Sequence, residues 1–201
     1  MIGQTQDVFR RALADVLVHE GGWSDHPDDP GGKTFRGVTK AAWEKHVGRK
    51  VTGEELKRLT FSQIADFYHR RYWLVAECDQ LPNGLSALVF DIAVNSGPGR
   101  AIKILQQALN KLTRARLAVD GIPGPKTLGT AARVNVFECI NEIAIMRLAF
   151  YQRLRNWRSF KGGWTRRAFQ TATFATAEAC GLGAGVIGQT MNYDPPLTVP
   201  R

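Results

Sequence analysis

Leu13, Val16, Leu17 and Glu20 stand at i, i+3, i+4 and i+7, the spacing that puts four side chains on one face of a helix. Residues 5–20 predict such a helix: Val8, Phe9, Ala12, Leu13, Val16 and Leu17 repeat at helical period, and Gly21-Gly22 closes it. Glu20 therefore extends an apolar stripe instead of the wet side. A carboxyl there loses hydration and sits at the negative end of the helix dipole, and both effects favour its protonated form. That is the form a general acid needs near neutral pH. Two other placements stay open: an ion pair with an arginine, or a side chain turned to water if the helix ends early.

Three more carboxylates, Asp25, Asp28 and Asp29, follow within nine residues of Glu20. Thr34 could position a water, and Gly31, Gly32 and Gly37 would let backbone approach a ligand closely. A carboxylic acid facing a carboxylate across a cleft is the minimal machinery of glycoside hydrolysis. One protonates the leaving oxygen; the other activates water or stabilises the oxocarbenium-like centre. Asp25 and Asp28 read better as turn formers. The alternating spacing and closing Glu of a calcium loop are absent.

The elements that must hold these residues are mostly helical. Residues 23–38 change abruptly to Asp, Pro and Gly and predict a short β-hairpin or irregular loop. Thr52-Gly53-Glu54-Glu55 and Thr60-Phe61-Ser62-Gln63 both fit the capping box. The second opens a helix through Ile64, Phe67, Tyr68 and Tyr72. Leu85, Leu88, Val89, Ile92 and Ala93 mark another, stopped by Asn95-Ser96-Gly97-Pro98. Residues 101–112, 137–156 and 165–179 complete the helical set. The expected fold is all-α, with one β excursion. The softest boundary is the turn at 95–99, which divides residues 1–97 from a helical region 98–192 packed on them, with a tail at 193–201.

Here the motifs become specific. His19-Glu20-Gly21-Gly22-Trp23, then Asp28-Asp29-Pro30-Gly31-Gly32-Lys33-Thr34, then Gly37-Val38-Thr39 resemble the signature of glycoside hydrolase family 108, the N-acetylmuramidases of phages and bacterial protein-export systems. The resemblance implies that Glu20 is the catalytic acid. It is also similar to phage-type lysozymes, which implies Asp29 as second carboxylate with Thr34 beside it. Phe90-Asp91-Ile92-Ala93-Val94-Asn95-Ser96-Gly97 is like the family's Asp-x-Ala-x-Asn-x-Gly segment. Asp91 and Asn95, at i and i+4, would either touch the sugar groove or brace the helix end as an interior pair. Ile104-Leu105-Gln106-Gln107 with Val119-Asp120-Gly121-Ile122-Pro123-Gly124-Pro125-Lys126-Thr127 resembles small helical peptidoglycan-binding modules. The 160–167 segment is similar to the family's C-terminal half.

The implied reaction is cleavage of the β-1,4 bond between N-acetylmuramic acid and N-acetylglucosamine, with no metal or organic cofactor. Trp23, beside the acid, is the aromatic expected to stack on a sugar; Trp43, Tyr68, Tyr72 and Trp73 read individually as core. The favoured context is a phage or prophage endolysin. The alternatives are an export-system muramidase or a non-catalytic peptidoglycan-binding protein of the same fold.

The 201 residues carry 27 basic and 18 acidic side chains, a net charge of +9. From Ile143 to Ala177 there is no acid, while Arg147, Arg153, Arg155, Arg158, Lys161, Arg166 and Arg167 all fall there. Such a segment, 147–167, suits an anionic cell-wall or outer-membrane surface. A nucleic-acid partner would leave the Glu-Gly-Gly-Trp loop unexplained, and is not expected. His19, His26, His46 and His69 form no zinc-ligand spacing, which argues against an amidase. Cys78, Cys139 and Cys180 read as buried or semi-buried thiols. No secretory signal or membrane span is recognisable, so the expectation is a monomer made in the bacterial cytoplasm and acting on peptidoglycan after release.

Overall fold

The structure, a computed structural model, describes residues 2–24 and 33–182, with side chains from Asp7 onward. Asp25, Asp28, Asp29 and the tail at 193–201 lie outside the described residues. Helix α1 (Ile2–His19) leads into three short strands: β1 (Trp23–Ser24), β2 (Thr34–Phe35) and β3 (Val38–Thr39). They form an antiparallel sheet in the order β1-β2-β3, with Trp23 opposite Phe35 and Thr34 opposite Thr39. Then come α2 (Lys40–Val47), α3 (Gly53–Lys57), α4 (Phe61–Tyr68), α5 (Leu85–Ser96), α6 (Pro98–Leu112), α7 (Pro125–Ala131), α8 (Val136–Gln152) and α9 (Trp157–Ala179). The fold is mainly α, as the hydrophobic periodicity predicts, and lysozyme-like, as the resemblance to phage-type lysozymes implies.

Local chemistry sets several boundaries. Both capping boxes form: Thr52 accepts from the Glu55 amide and Thr60 from that of Gln63, while each partner side chain bonds back to the cap amide. Thr39 caps α2 by accepting from Ala42 N at 3.2 Å, and Pro125 starts α7 at a position where its missing N–H costs nothing. Neither α2 nor α7 is marked by a strong apolar repeat. Helix α1 stops at His19, one residue before Glu20.

The C-terminal helices differ from expectation. Helix α8 ends at Gln152 instead of residue 156, and α9 starts at Trp157 instead of 165, running straight through Gly162-Gly163. Two interior glycines cost about 1 kcal/mol each against alanine. Packing offsets them: Trp164 stacks on Phe160 at 5.5 Å and lies 5.3 Å from the Tyr151 ring of α8.

Helix α5 is the axis of the core, buried from Leu85 through Ala93. A helix apolar all round belongs inside, so its one acid, Asp91, must find partners there. A single cluster of buried side chains extends from Val8 on α1 to Ala175 on α9 and crosses the turn at Gly97. Helices α1 and α9 run antiparallel. Arg11 Nε and Nη2 donate to Glu178 Oε1 and Oε2 at 2.7 and 2.8 Å near one end. Cys78 and Cys139 are buried, whereas Cys180, after the last turn of α9, is exposed. Among the described residues no helix is long and apolar enough to cross a membrane.

Candidate active site

The stripe that carries Glu20 does not end in an apolar pocket. Glu20 Oε1 accepts from Arg167 Nη1 at 2.9 Å, with the carboxylate side chain 20% exposed. This is the arginine pair left open by the sequence. It closes the second end of the α1–α9 clamp. Nine residues separate Arg11 from Glu20 and eleven separate Arg167 from Glu178, about 14 and about 17 Å of helix. Two ion pairs of opposite sense therefore fix α1 against α9 and deliver Glu20 to its place.

Arg167 is shared. Its Nε donates to Asp91 Oδ1 at 3.0 Å and its Nη2 lies 2.9 Å from the same oxygen. Asp91 Oδ2 meets Arg147 Nη2 at 2.5 Å, an ion pair without hydrogen-bond alignment, and both Arg147 Nη atoms are buried with no hydrogen-bond partner. Arg147 Nε in turn donates to Tyr151 Oη at 2.6 Å, and Tyr151 Oη donates to Asn95 Oδ1 at 2.6 Å. Burial pushes the Asp91 carboxyl up, but Arg147 and Arg167 outweigh it and hold the group below its ordinary value. Burial, then the charge of Asp91, raises Asp15 to about 6. Burial, then Arg167, lowers His19.

The sheet closes over the acid from the other side. Arg36 and Gly37 both have positive φ, 48° and 75°, the pattern of a two-residue turn suited to the twist of a hairpin. Gly37 presses on Glu20: a Cβ there would fall 2.7 Å from Glu20 Oε2 and closer still to Tyr68 Oη. Tyr68 pins the turn by donating to Arg36 O at 2.9 Å. Burial, then Glu20, raises its phenol and keeps it neutral. The carboxylate thus has one oxygen held by a guanidinium, while the other lies close against Gly37, where no side chain would fit.

The remaining expected site residues fall as follows. Thr34 is half-buried on the central strand, opposite Ser24 and Thr39. Trp23, half-buried on β1, carries Lys57 Nζ 4.5 Å over its ring. Asp91 is 1% exposed and faces arginines; Asn95 is exposed and bonded to Tyr151 and Ser96. Trp43, Tyr68 and Trp73 are core. The basic segment needs correcting, because Arg147 and Arg167 turn inward to acids. Arg153, Arg155, Arg158, Lys161 and Arg166 remain on the surface.

Sequence reasoning missed Arg147, Tyr151 and Arg167, although the logic that found Glu20 applies to them. Cys139, Ile143, Arg147 and Tyr151 are buried at steps of four on α8; Arg167 leads Thr171, Phe174 and Glu178 on α9. The Asp120-Gly121 motif has a structural explanation. Gln106 Nε2 donates to Asp120 Oδ1, Ile122 O and Thr127 Oγ1, and its Oε1 accepts from Gly121 N.

Comparison with known proteins now adds to this geometry. Residues 13–97 match the family described as glycosyl hydrolase 108, and residues 100–169 match a predicted peptidoglycan domain. The solved structure of Brucella abortus SagA is similar, with 36% identity and a TM-score of 0.75, covering 87% of this chain and 97% of that one. No curated protein matches. An acid held at the lip of a small sheet, with a peptidoglycan domain on the same core, defines a glycoside hydrolase that acts on peptidoglycan. The chain belongs to glycosyl hydrolase family 108.

Proposed function

We propose that the chain is an N-acetylmuramidase, a lysozyme that cleaves the β-1,4 bond between N-acetylmuramic acid and N-acetylglucosamine. The observation that carries this reading is the Glu20 carboxylate, anchored through one oxygen by Arg167 at 2.9 Å and approached closely at the other by the side-chain-free Gly37. Glu20 donates a proton to the glycosidic oxygen as the bond breaks. Asp29, with Thr34 beside it, holds the attacking water or stabilises the cationic sugar, and Trp23 offers a ring face to a pyranose. Asn95 presents its exposed amide to the strand. Asp91 acts through Arg167 as a positioning residue.

In this reading residues 1–97 do the chemistry and 98–192 bind the polymer, with 193–201 a tail. The protein works as a monomer. The surface cations of 147–167 attract the anionic wall or outer membrane. The setting is a phage or prophage endolysin, made in the host cytoplasm and reaching peptidoglycan after release.

The test is digestion of purified peptidoglycan by wild type and Glu20→Gln. New reducing muramic ends that disappear in the variant support the reading. Reducing glucosamine ends, released peptides or free amines would replace it with a glucosaminidase, peptidase or amidase.

A further inference from the structure

Beyond the catalytic acid, two hollows of about 290 Å³ each lie side by side on the C-terminal half. The first, between α6 and α8, is lined by Arg100, Phe150 and Arg153 among others. The second is bounded by Asn95, Tyr151 and Trp164, and shares Arg100 and Phe150 with the first. The guanidinium carbon of Arg100 lies 4.7 Å from the centre of the Phe150 ring. A cation–π contact of this kind leaves guanidinium N–H groups for a carboxylate. Among the described residues no carboxylate pairs with Arg100 or Arg153, and none lines either hollow.

The hollows are not isolated from the acid. Asn95 and Tyr151 line the second hollow, and Tyr151 touches Arg147, which meets Asp91, which holds Arg167 and so Glu20. The polymer proposed for this half of the chain, whose residues 100–169 match a predicted peptidoglycan domain, is a glycan strand. Its sugars are uncharged; its anionic groups are the carboxylates of the short peptides on its muramic acids. Two cations with guanidinium N–H groups and the rings of Phe150, Tyr151 and Trp164 fit such a peptide: carboxylate on arginine, methyl groups on aromatic faces.

We infer that the paired hollows are a subsite for the carboxylate-bearing stem peptide of peptidoglycan, with Arg100 and Arg153 as its charge-reading residues. This rests on the muramidase reading for its context but is tested separately from it. The full chain is titrated calorimetrically with N-acetylmuramyl-L-alanyl-D-glutamate and with its diamide, neither of which contains the scissile bond. The acid form binds about tenfold tighter than the diamide, the worth of one charge-assisted hydrogen bond. Arg100→Gln and Arg153→Gln each reduce that preference without changing diamide binding. Both residues are exposed, so the variants keep the wild-type unfolding transition.

Absence of binding, equal affinity for the two forms, or variants that bind like wild type would overturn the subsite. Displacement of the bound muropeptide by duplex DNA at lower concentration would do the same. In a second arm, wild type cleaves peptide-bearing glycan at lower KM than peptide-free glycan, and the double variant loses the difference with kcat intact. Charge-dependent binding without cleavage of either polymer sinks the muramidase and keeps the subsite; cleavage without charge dependence does the reverse.

Discussion

Arg167 Nη1 and Glu20 Oε1 meet at 2.9 Å across 147 positions of sequence. That contact joins the last long helix to the end of the first and makes the C-terminal half a part of the surroundings of Glu20. Replacing Arg167 by Met leaves Asp91 with a single partner and Glu20 unanchored. Loss of one member of a buried ionic group costs about 3 kcal/mol of stability, and a displaced acid about a hundredfold in kcat. Urea unfolding and reducing-end kinetics measure the two effects.

Asp91 offers a cleaner separation of bracing from sugar contact. Its carboxylate is 1% exposed between two guanidinium groups. Asp91→Asn leaves the buried Arg147 without an anion and Arg167 with Glu20 alone, and the expected loss is about 3–5 kcal/mol. The midpoint of urea unfolding falls, whereas KM on peptidoglycan moves little. A raised KM with unchanged stability would place Asp91 against the sugar instead.

Glu20 stood out because it interrupts a local pattern; Asp29, outside the described residues, is offered only by motif resemblance. Arg167 was harder for a physical reason. A partner 147 residues away leaves no local trace, and the acid-free stretch around it imitates a solvated basic face. The trace that did exist was its place on the buried face of α9, blurred because Gly162-Gly163 hides the helix start. The capping boxes at Thr52 and Thr60 needed only neighbours three residues on, and they formed as read.

Asp15 gives the stability a definite pH slope. Its carboxyl is raised from 3.8 to about 6, so between these values the folded state binds a proton that the unfolded chain releases. Stability therefore falls as pH rises through this window, by on the order of 2–3 kcal/mol. Asp91 has the opposite sign: held low, its contribution is present above 3.8 and lost as pH falls below it. Asp15→Asn imitates the neutral form, so it flattens the slope between pH 4 and 7 and is more stable than wild type at pH 7. Denaturant midpoints at each pH check both statements.

Gly37 cannot carry a side chain without disturbing the acid. With φ at 75° and Glu20 Oε2 2.7 Å from where a Cβ would lie, Gly37→Ala strains the turn by about 1–3 kcal/mol and pushes on that oxygen. The expected outcome is a lower unfolding midpoint together with reduced kcat, whereas the same change at the exposed Gly162 leaves kcat unaltered.

The role of Glu20 as proton donor is tested most directly by varying the leaving group. Glu20→Gln and wild type are compared on the natural glycan and on a muramyl glycoside with a dinitrophenyl aglycone, which departs without protonation. Loss of a general acid costs roughly 10²–10⁴-fold on the natural bond and far less on the activated one. An equal loss on both substrates, or none on either, would contradict the account.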